Sequence, residues 1–489
     1  MDQLQKTLEA VRTARQSPLP HDPTDPVNKA FTQATGLVNY DLEGPAKLLY
    51  PVLTPLRNRI PRVKANGGTA TNWKQVTAVN ISKIRFGVSE GNRNAVIVDA
   101  VADKVAAYKG FGLENNVTFE ADDASQGYDD AKALAVLNLL NATMLQEEAA
   151  LLGGNNSLAL GTTPTPTVAT STTGGTLAAQ TWSIICVALT PIAFREATIA
   201  GGLTLTANRT NADGSVDSVK GGHAAKSAAA SQSTTGATST IDATVTPVNG
   251  AVAYAWFYGT AGNEVLGVIT TLATVRITAA ATGTQNASVL SGDQSTDTLT
   301  FDGILTQCFT PGSGAYNQSL PNVAGVGTPL TSDGAGGVTE IDTALMAFWD
   351  NFRLTPDEMY VSATTLLAIN KLVIANGGAP LIRYSLDGGG GMAIEAGTVI
   401  GSYLNKPMNK KVKVTVHPDM PSGMILFYSS TIPYPLSNVN NILQVKTRRE
   451  YYQIEWPLRS RKYEFGVYGD ELLQNYFPAA FGLLRNIKV

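Results

Sequence analysis

The chain has almost no histidine or cysteine with which to build a site. Its 489 residues hold three histidines, His21, His223 and His417, and two cysteines, Cys186 and Cys308. No histidine has a second ligand at metal-binding spacing, so structural or surface roles are expected of all three. With no Cys-x-x-Cys pair, neither a zinc site nor a disulfide framework is indicated, and two isolated thiols fit a reducing compartment. No Gly-x-Ser-x-Gly elbow occurs. The four-glycine run at 388–391 lacks the Lys-Ser/Thr of a phosphate loop and reads as a loop. The acidic residues of 120–130 lack EF-hand spacing. An enzyme reading therefore has no constellation to carry it, and no metal or cofactor is expected.

Long apolar runs are missing too. No stretch of eighteen apolar residues exists, so no membrane-spanning helix is expected, and residues 1–16 lack the apolar core of a secretory signal. A net charge of −3 gives no global nucleic-acid signature. Locally, Lys446, Arg448, Arg449, Arg459, Arg461 and Lys462 interleave with Tyr451, Tyr452, Trp456 and Tyr463. That pattern suits single-stranded nucleic acid, but Glu450, Glu455 and Glu464 dilute it and strand alternation explains the aromatics. What remains is a globular protein with ample apolar material, 44% of the chain.

Charge is scarce in one place above all. Residues 155–296 carry eleven charged side chains in 142 positions, against 64 in the other 347. The segment is rich in Thr, Ala, Gly, Ser and Val, with short runs such as Trp182–Val187 and Ala253–Tyr258. This suits a small all-β module of immunoglobulin or fibronectin-III type, with 211–240 a long loop, inserted into a host whose sequence resumes at 297.

The host opens with an arm. Pro18, Pro20, Pro23 and Pro26 keep residues 17–26 extended, and 1–44 needs another surface to lie on. Residues 56–86 read as a long hairpin turning at Asn66-Gly67-Gly68. It is wholly basic: Arg57, Arg59, Arg62, Lys64, Lys74, Lys83 and Arg85 occur before the first acid after Ser89. The stretch Phe111–Ala131 is the converse, with Glu114, Glu120, Asp122, Asp123, Asp129 and Asp130 and no cation. It leads into the clearest helix, 128–152, whose apolar stripe includes Val136, Leu137, Leu140, Met144 and Leu151. The acids cap its N-terminal end, and Gly153-Gly154 ends it. Further on, helices are expected over 339–352 and 363–374, and strands at 359–361, 411–417, 424–429 and through 445–470.

The order of these parts resembles the major capsid proteins of tailed bacteriophages, whose shell fold is shared with herpesviruses. The resemblance is carried by Val117-Thr118-Phe119-Glu120-Ala121-Asp122 with the helix ending Gln146–Gly154, similar to the family's spine helix. It is carried further by Thr300–Leu305, by Glu340-Ile341-Asp342 through Met359–Ser362 to Leu366–Ile369, and by Phe477–Ile487. These cover 45–154 and 297–489.

The resemblance implies an α+β shell fold. Its parts would be an N-terminal arm (1–44), an extended hairpin loop with a peripheral domain and spine helix (45–154), an axial domain (297–430) and a return to the peripheral domain (431–489). The insert (155–296) departs from the minimal pattern, and by analogy it would face outward. The implied function is structural: self-assembly into hexamers and pentamers of an icosahedral virion shell, formed in the host bacterial cytoplasm around DNA held without sequence-specific contacts. A separate scaffolding protein, a portal and a decoration protein are the implied partners, and no membrane. Within such a shell, Arg57, Arg59, Arg62, Lys64 and Lys74 of one subunit are expected to meet Glu120, Asp122, Asp123, Asp129 and Asp130 of its neighbour. An encapsulin-like compartment shell and a surface adhesin are the alternative readings.

Overall fold

The structure is a computed structural model. It describes residues 52–489 apart from 80–83, 85, 95, 97–99, 126–129, 212, 376–381, 387–391, 397–399, 407, 433–438 and 440. The N-terminal arm, the glycine run, Lys83, Arg85 and Asp129 lie outside the described residues. The fold is α+β.

The first described part is α1 (Pro55–Arg59), β1 (Arg62–Lys64), β2 (Ala70–Val76), β3 (Val101–Ala107), β4 (Lys109–Thr118), α2 (Phe119–Ser125) and α3 (Ala131–Gly153). Here the expected hairpin is corrected. Residues 56–64 form a helical turn and a short strand, while β2 pairs with β3, Ala70 opposite Ala107 and Val76 opposite Val101. The two strands are connected through residues 77–100. Asn66-Gly67-Gly68 is a bend just before β2, where Gly67 and Gly68 take φ of 104° and 87°, open to glycine without strain.

Helix α3 starts where the acids predict. The Asp130 side chain accepts the Ala133 N–H at 2.9 Å as N-cap. The 23-residue helix is about 34 Å long at 1.5 Å per residue. Val136 and Leu140 pack on Phe465 and Val467, whereas Leu137, placed on the same stripe by the sequence, is exposed. The last two turns are buried all round, from Glu147 to Gly153 apart from the half-buried Ala150, so no single apolar stripe serves them. Gly154 caps the helix at φ −56°, not in the left-handed region. Close approach explains the glycines instead: a Cβ on Gly153 would strike Pro191, and one on Gly154 the Phe301 carbonyl.

Residues 155–296 contain β5 (Thr167–Ser171), β6 (Thr181–Leu189), α4 (Pro191–Glu196), β7 (Ala207–Thr210), β8 (Val216–Val219), β9 (Ala230–Ser233), β10 (Thr240–Thr244), β11 (Ala253–Gly259), β12 (Val265–Thr270) and β13 (Thr274–Ile277). The expected long loop at 211–240 thus holds β8, β9 and the β7–β8 turn. Two antiparallel sheets, β13-β10-β5 and β12-β11-β6-β9, enclose Ile184, Cys186, Trp256, Ile241 and Val275. With β7–β8 set aside and the rest lettered A to G, the sheets run A-D-G and C-B-E-F. An immunoglobulin domain has A-B-E-D and C-F-G, so this is a sandwich of a different strand order.

The sandwich is also not insulated. Strands β6 and β11 are buried almost throughout, because both faces of their sheet are covered. Ile185, Val187, Leu189, Ala255 and Phe257, on the face away from β10 and β13, join one apolar cluster with Leu56, Leu152, Phe301 and Leu305 of the host. Polar ties follow the seam: Asn322 Nδ2 donates to the Val245 carbonyl at 2.9 Å, Ala273 N–H to Asn486 Oδ1 at 2.9 Å, and Asn249 Nδ2 to the Phe309 carbonyl at 2.6 Å.

The remainder supplies α5 (Ile304–Phe309), β14 (Tyr316–Ser319), β15 (Thr328–Pro329), α6 (Thr339–Phe352), β16 (Glu358–Val361), α7 (Ala363–Ala375), β17 (Ile382–Leu386), β18 (Met392–Ala396), β19 (Ser402–Asn405), β20 (Lys410–Val416), β21 (Ile425–Tyr428), β22 (Leu443–Glu455), β23 (Lys462–Asn475), β24 (Gly482–Arg485) and β25 (Ile487–Lys488). A six-stranded mixed sheet runs β14-β24-β21-β16-β20-β19, and a four-stranded sheet runs β1-β22-β23-β4. The expected last segment, 431–489, is therefore divided: β22 and β23 join the sheet beside α3, but β24 lies inside the six-stranded sheet between β14 and β21. Phe477, Ala479, Ala480 and Phe481 are fully buried at the crossing.

Because the host and the sandwich share one core, they are expected to unfold together. Phe257→Ala should cost about 3–5 kcal/mol and move the whole chain's urea transition rather than split it. Deleting 155–296 should give insoluble protein, since it uncovers the apolar surface around Leu152 and Phe301. A soluble, folded deletion product in a proteolysis and circular-dichroism assay would overturn the shared core.

Candidate inter-subunit surface and its polar anchor

Two consecutive carboxylates in α3, Glu147 and Glu148, are fully buried. Adjacent helix positions diverge by about 100°, so they serve different partners. Glu148 accepts the Leu56 and Arg57 N–H groups at 2.9 and 2.7 Å, caring for the otherwise unpaired N-terminal donors of α1. It also accepts from His417 Nε2 at 2.7 Å. His417 Nδ1 accepts the Asp419 N–H at 3.1 Å, which assigns the ring hydrogen to Nε2. Glu147 takes Arg57 Nε at 2.8 Å, and Arg62 and the Tyr451 hydroxyl at closer range. The two guanidinium groups lie 5.3 and 5.8 Å from the Tyr451 ring centre. Arg62 reaches on to Glu471 at 3.3 Å.

This cluster joins α1, β1, α3, β22, β23 and the segment after β20. It anchors the base of the β2–β3 ribbon, which forms a two-stranded sheet by itself. The second half of β2, away from the Asn66-Gly67-Gly68 bend, is tied to the end of β23: Trp73 Nε1 and Gln75 Nε2 both donate to the Asn475 carbonyl, at 2.8 and 3.1 Å, and Val76 N–H donates to the Tyr476 carbonyl. Val76 and Val79 pack against the main core, but several described apolar side chains of the connection and of β3 are uncovered. Phe86 is fully exposed, Val96 is 90% exposed, and Ile84, Val88 and Val105 are more than half exposed.

The expected basic and acidic contact residues do not form one surface. Arg57 and Arg62 are spent within the chain on Glu147 and Glu471, and Arg59 pairs with Glu358 at 3.2 Å. Lys74 pairs with Asp103 across the ribbon at 3.1 Å, both exposed. Lys64 is exposed. On the acidic side, Glu120 pairs with Arg461 at 2.8 Å, Asp130 caps α3, and Asp122 and Asp123 lie on α2. The residues missed by sequence reasoning are Glu147, Glu148, His417, Tyr451 and Glu471. Two adjacent glutamates followed by Ala-Ala-Leu-Leu were the available signal, since nothing but buried partners suits charge in so apolar a stretch.

No protein-family model matches the chain, and no curated protein sequence does. Among solved structures, the chain is similar to the capsid of a native GTA particle, with 9% identity and a TM-score of 0.41, covering 94% of this chain and 98% of that one. It is similar to the capsid of cyanophage A-1(L), with 10% identity, a TM-score of 0.43, and 93% and 98% covered. It is also similar to the holo encapsulin complex of Synechococcus elongatus, with 10% identity, a TM-score of 0.37, and 93% and 94% covered.

If the buried cluster anchors the fold, breaking it should be far costlier than breaking a surface pair. Glu147→Ala strands two arginines and should lose about 3–5 kcal/mol by urea titration. Asp103→Ala, which removes the exposed Lys74 pair, should lose under about 1 kcal/mol.

Proposed function

We propose that this chain is a shell-forming structural protein, the major capsid subunit of a tailed phage. The observation that carries the reading is the ribbon and the connection between its strands: Val105 of β3, and Ile84, Phe86 and Val96 of the connecting residues, are exposed to solvent. A two-stranded ribbon is marginal alone in water, and contiguous exposed apolar side chains mark interaction surfaces. Burying each such side chain against another subunit is worth about 1.5–3 kcal/mol. One contact of this kind per subunit is weak, but in a closed ring every subunit both gives and receives it, and many copies add avidity. The segments resembling the phage shell proteins support the same reading.

In this reading the subunits form hexamers and pentamers around DNA, with scaffolding, portal and decoration proteins as assembly partners. The exposed strand β5 and hairpin β7–β8 support a solvent-facing outer side for the inserted sandwich. The charge contact between subunits is left to Lys64, and to Lys74 once it leaves the exposed Asp103, with Asp122 and Asp123, because the arginines are held at home. Exposed pairs of this sort contribute about 0.2–1 kcal/mol each and steer rather than hold.

Two measurements test the reading. Purified protein with its assembly partners should give capsomers or closed shells by negative-stain electron microscopy, with DNA rather than cargo enzyme in shells taken from cells. A compact monomer under all conditions overturns it, and cargo without DNA favours the encapsulin-like alternative. Phe86→Asp with Val96→Asp should abolish assembly by sedimentation while changing monomer stability by less than about 0.5 kcal/mol, as surface substitutions do. Raising salt to about 1 M, where the Debye length is about 3 Å, should slow assembly of the wild type without preventing it.

A further inference from the structure

The Asn66-Gly67-Gly68 bend does not turn the ribbon. It joins two strands that are each held elsewhere. On one side β1 is paired with β22, and the Ala65 N–H donates to the Thr447 carbonyl at 2.8 Å. On the other, the Tyr108 N–H donates to the Thr69 carbonyl at 3.1 Å where β2 meets β3. Between these ties Asn66, Gly67 and Gly68 are exposed. No described residue makes a hydrogen bond to the Asn66 side chain or to the Gly67 N–H. A Cβ placed on Gly67 would meet nothing within 4 Å, so the residue stands in open space. Having no side chain, it leaves its nitrogen unhindered and free to take the torsions that an attack on the preceding side chain needs.

The same dipeptide recurs at Asn249-Gly250, in different surroundings. There Asn249 Nδ2 donates to the Phe309 carbonyl at 2.6 Å, and Oδ1 accepts from Asn317 Nδ2 at 3.0 Å. Gly250 is buried, and a Cβ on it would strike Leu158 and Leu160. An anion at a buried nitrogen is costly, and the Asn249 amide must first leave both partners. The third Asn-Gly pair, at 376–377, lies outside the described residues.

We propose that Asn66 is a self-modification site, converted to aspartyl and isoaspartyl forms by its own backbone, while its contacts spare Asn249. Hydroxide takes the Gly67 N–H proton, and the nitrogen attacks Asn66 Cγ. The new C–N bond closes a cyclic imide, the Cγ–Nδ2 bond breaks, and the amide leaves as ammonia with a proton returned by water. Water then adds to one of the two imide carbonyls. Breaking the bond from nitrogen to Cγ leaves Asp at 66, and breaking the bond from nitrogen to the backbone carbonyl leaves the isoaspartyl form, with the main chain running through Cβ. The sum is one water consumed and one ammonia released, with nothing oxidised or reduced.

Either product places the first negative charge in the span from Arg57 to Ser89, two residues from the exposed Lys64. The isoaspartyl form also lengthens the main chain at the untied bend, so β1 and β2 can both keep their pairings. The modification proceeds whether or not the chain assembles.

Peptide mass spectrometry of the whole folded chain, incubated at mildly alkaline pH, tests this. The peptide holding Asn66 should gain about 1 Da, with fragmentation placing the gain at 66 and not at Asn72. The gain should be faster than that at Asn249 by at least about tenfold, and it should quicken as pH rises, since the attacking form is the deprotonated nitrogen. In urea sufficient to unfold the chain the Asn249 contacts are lost, and the two rates should converge. Asn66→Gln, whose longer side chain closes an imide poorly, should remove the gain at 66 and leave Asn249 as it was. An unmodified Asn66 in the folded chain, an Asn249 that keeps pace with it, an Asn249 still slow in urea, or a gain retained at 66 in the variant each overturns the proposal.

Discussion

The structure turns on two buried carboxylates placed side by side in one helix. Glu147 and Glu148 lie where α3 is covered on every side, so neither can be hydrated. Each is tolerated because it is fully engaged, Glu148 by two backbone N–H groups and His417, Glu147 by two arginines and a tyrosine hydroxyl. Such an arrangement adds little net stability over an apolar one, but removing a partner leaves an uncompensated charge. Its effect is to specify geometry. The placement of α1, β1, β22 and the turn at His417 satisfies both groups, so the helix ties the four-stranded sheet, the six-stranded sheet and the incoming chain together.

The inserted sandwich obeys the same logic from the apolar side. A module that buried only its own interior would show one wet face on its central strands. Strands β6 and β11 have none, because the face opposite Trp256 and Cys186 is pressed on Leu152, Phe301 and their neighbours. The sandwich shares one core with the rest of the chain, and the glycines at 153 and 154 allow the close approach to Pro191 and Phe301 that this needs. Gly153 and Gly154 thus act through space as well as at the end of a helix.

Against this tightly determined body stands the ribbon. Strand β2 is held by hydrogen bonds to the Asn475 and Tyr476 carbonyls, while Ile84, Phe86, Val88, Val96 and Val105 are exposed. Firm anchoring with an uncovered end is the arrangement expected of an element whose cover is another molecule. Three of the basic residues before it, Arg57, Arg59 and Arg62, are paired within the chain.

Much of this was legible in the residues. The low charge of 155–296 marks a β-rich segment. Asp130 ahead of a long apolar pattern marks the start of α3, and Glu340-Ile341-Asp342 marks α6, because capping and periodicity are local properties of the chain. The scarcity of histidine and cysteine steered the reading away from catalysis. Pairing was not legible. Asn66-Gly67-Gly68 carries a strong turn signal, yet the partner of β2 lies 25 or more residues beyond it, since a turn propensity says nothing of which strand returns. The strand order of the sandwich, the passage of β24 into the six-stranded sheet, and the partners of Arg57 and Arg62 are likewise long-range choices. The sequence determined where charge and apolar surface occur along the chain. Only the tertiary structure decided which carboxylate met which arginine, because a buried charge selects its partner from whatever the fold brings within reach.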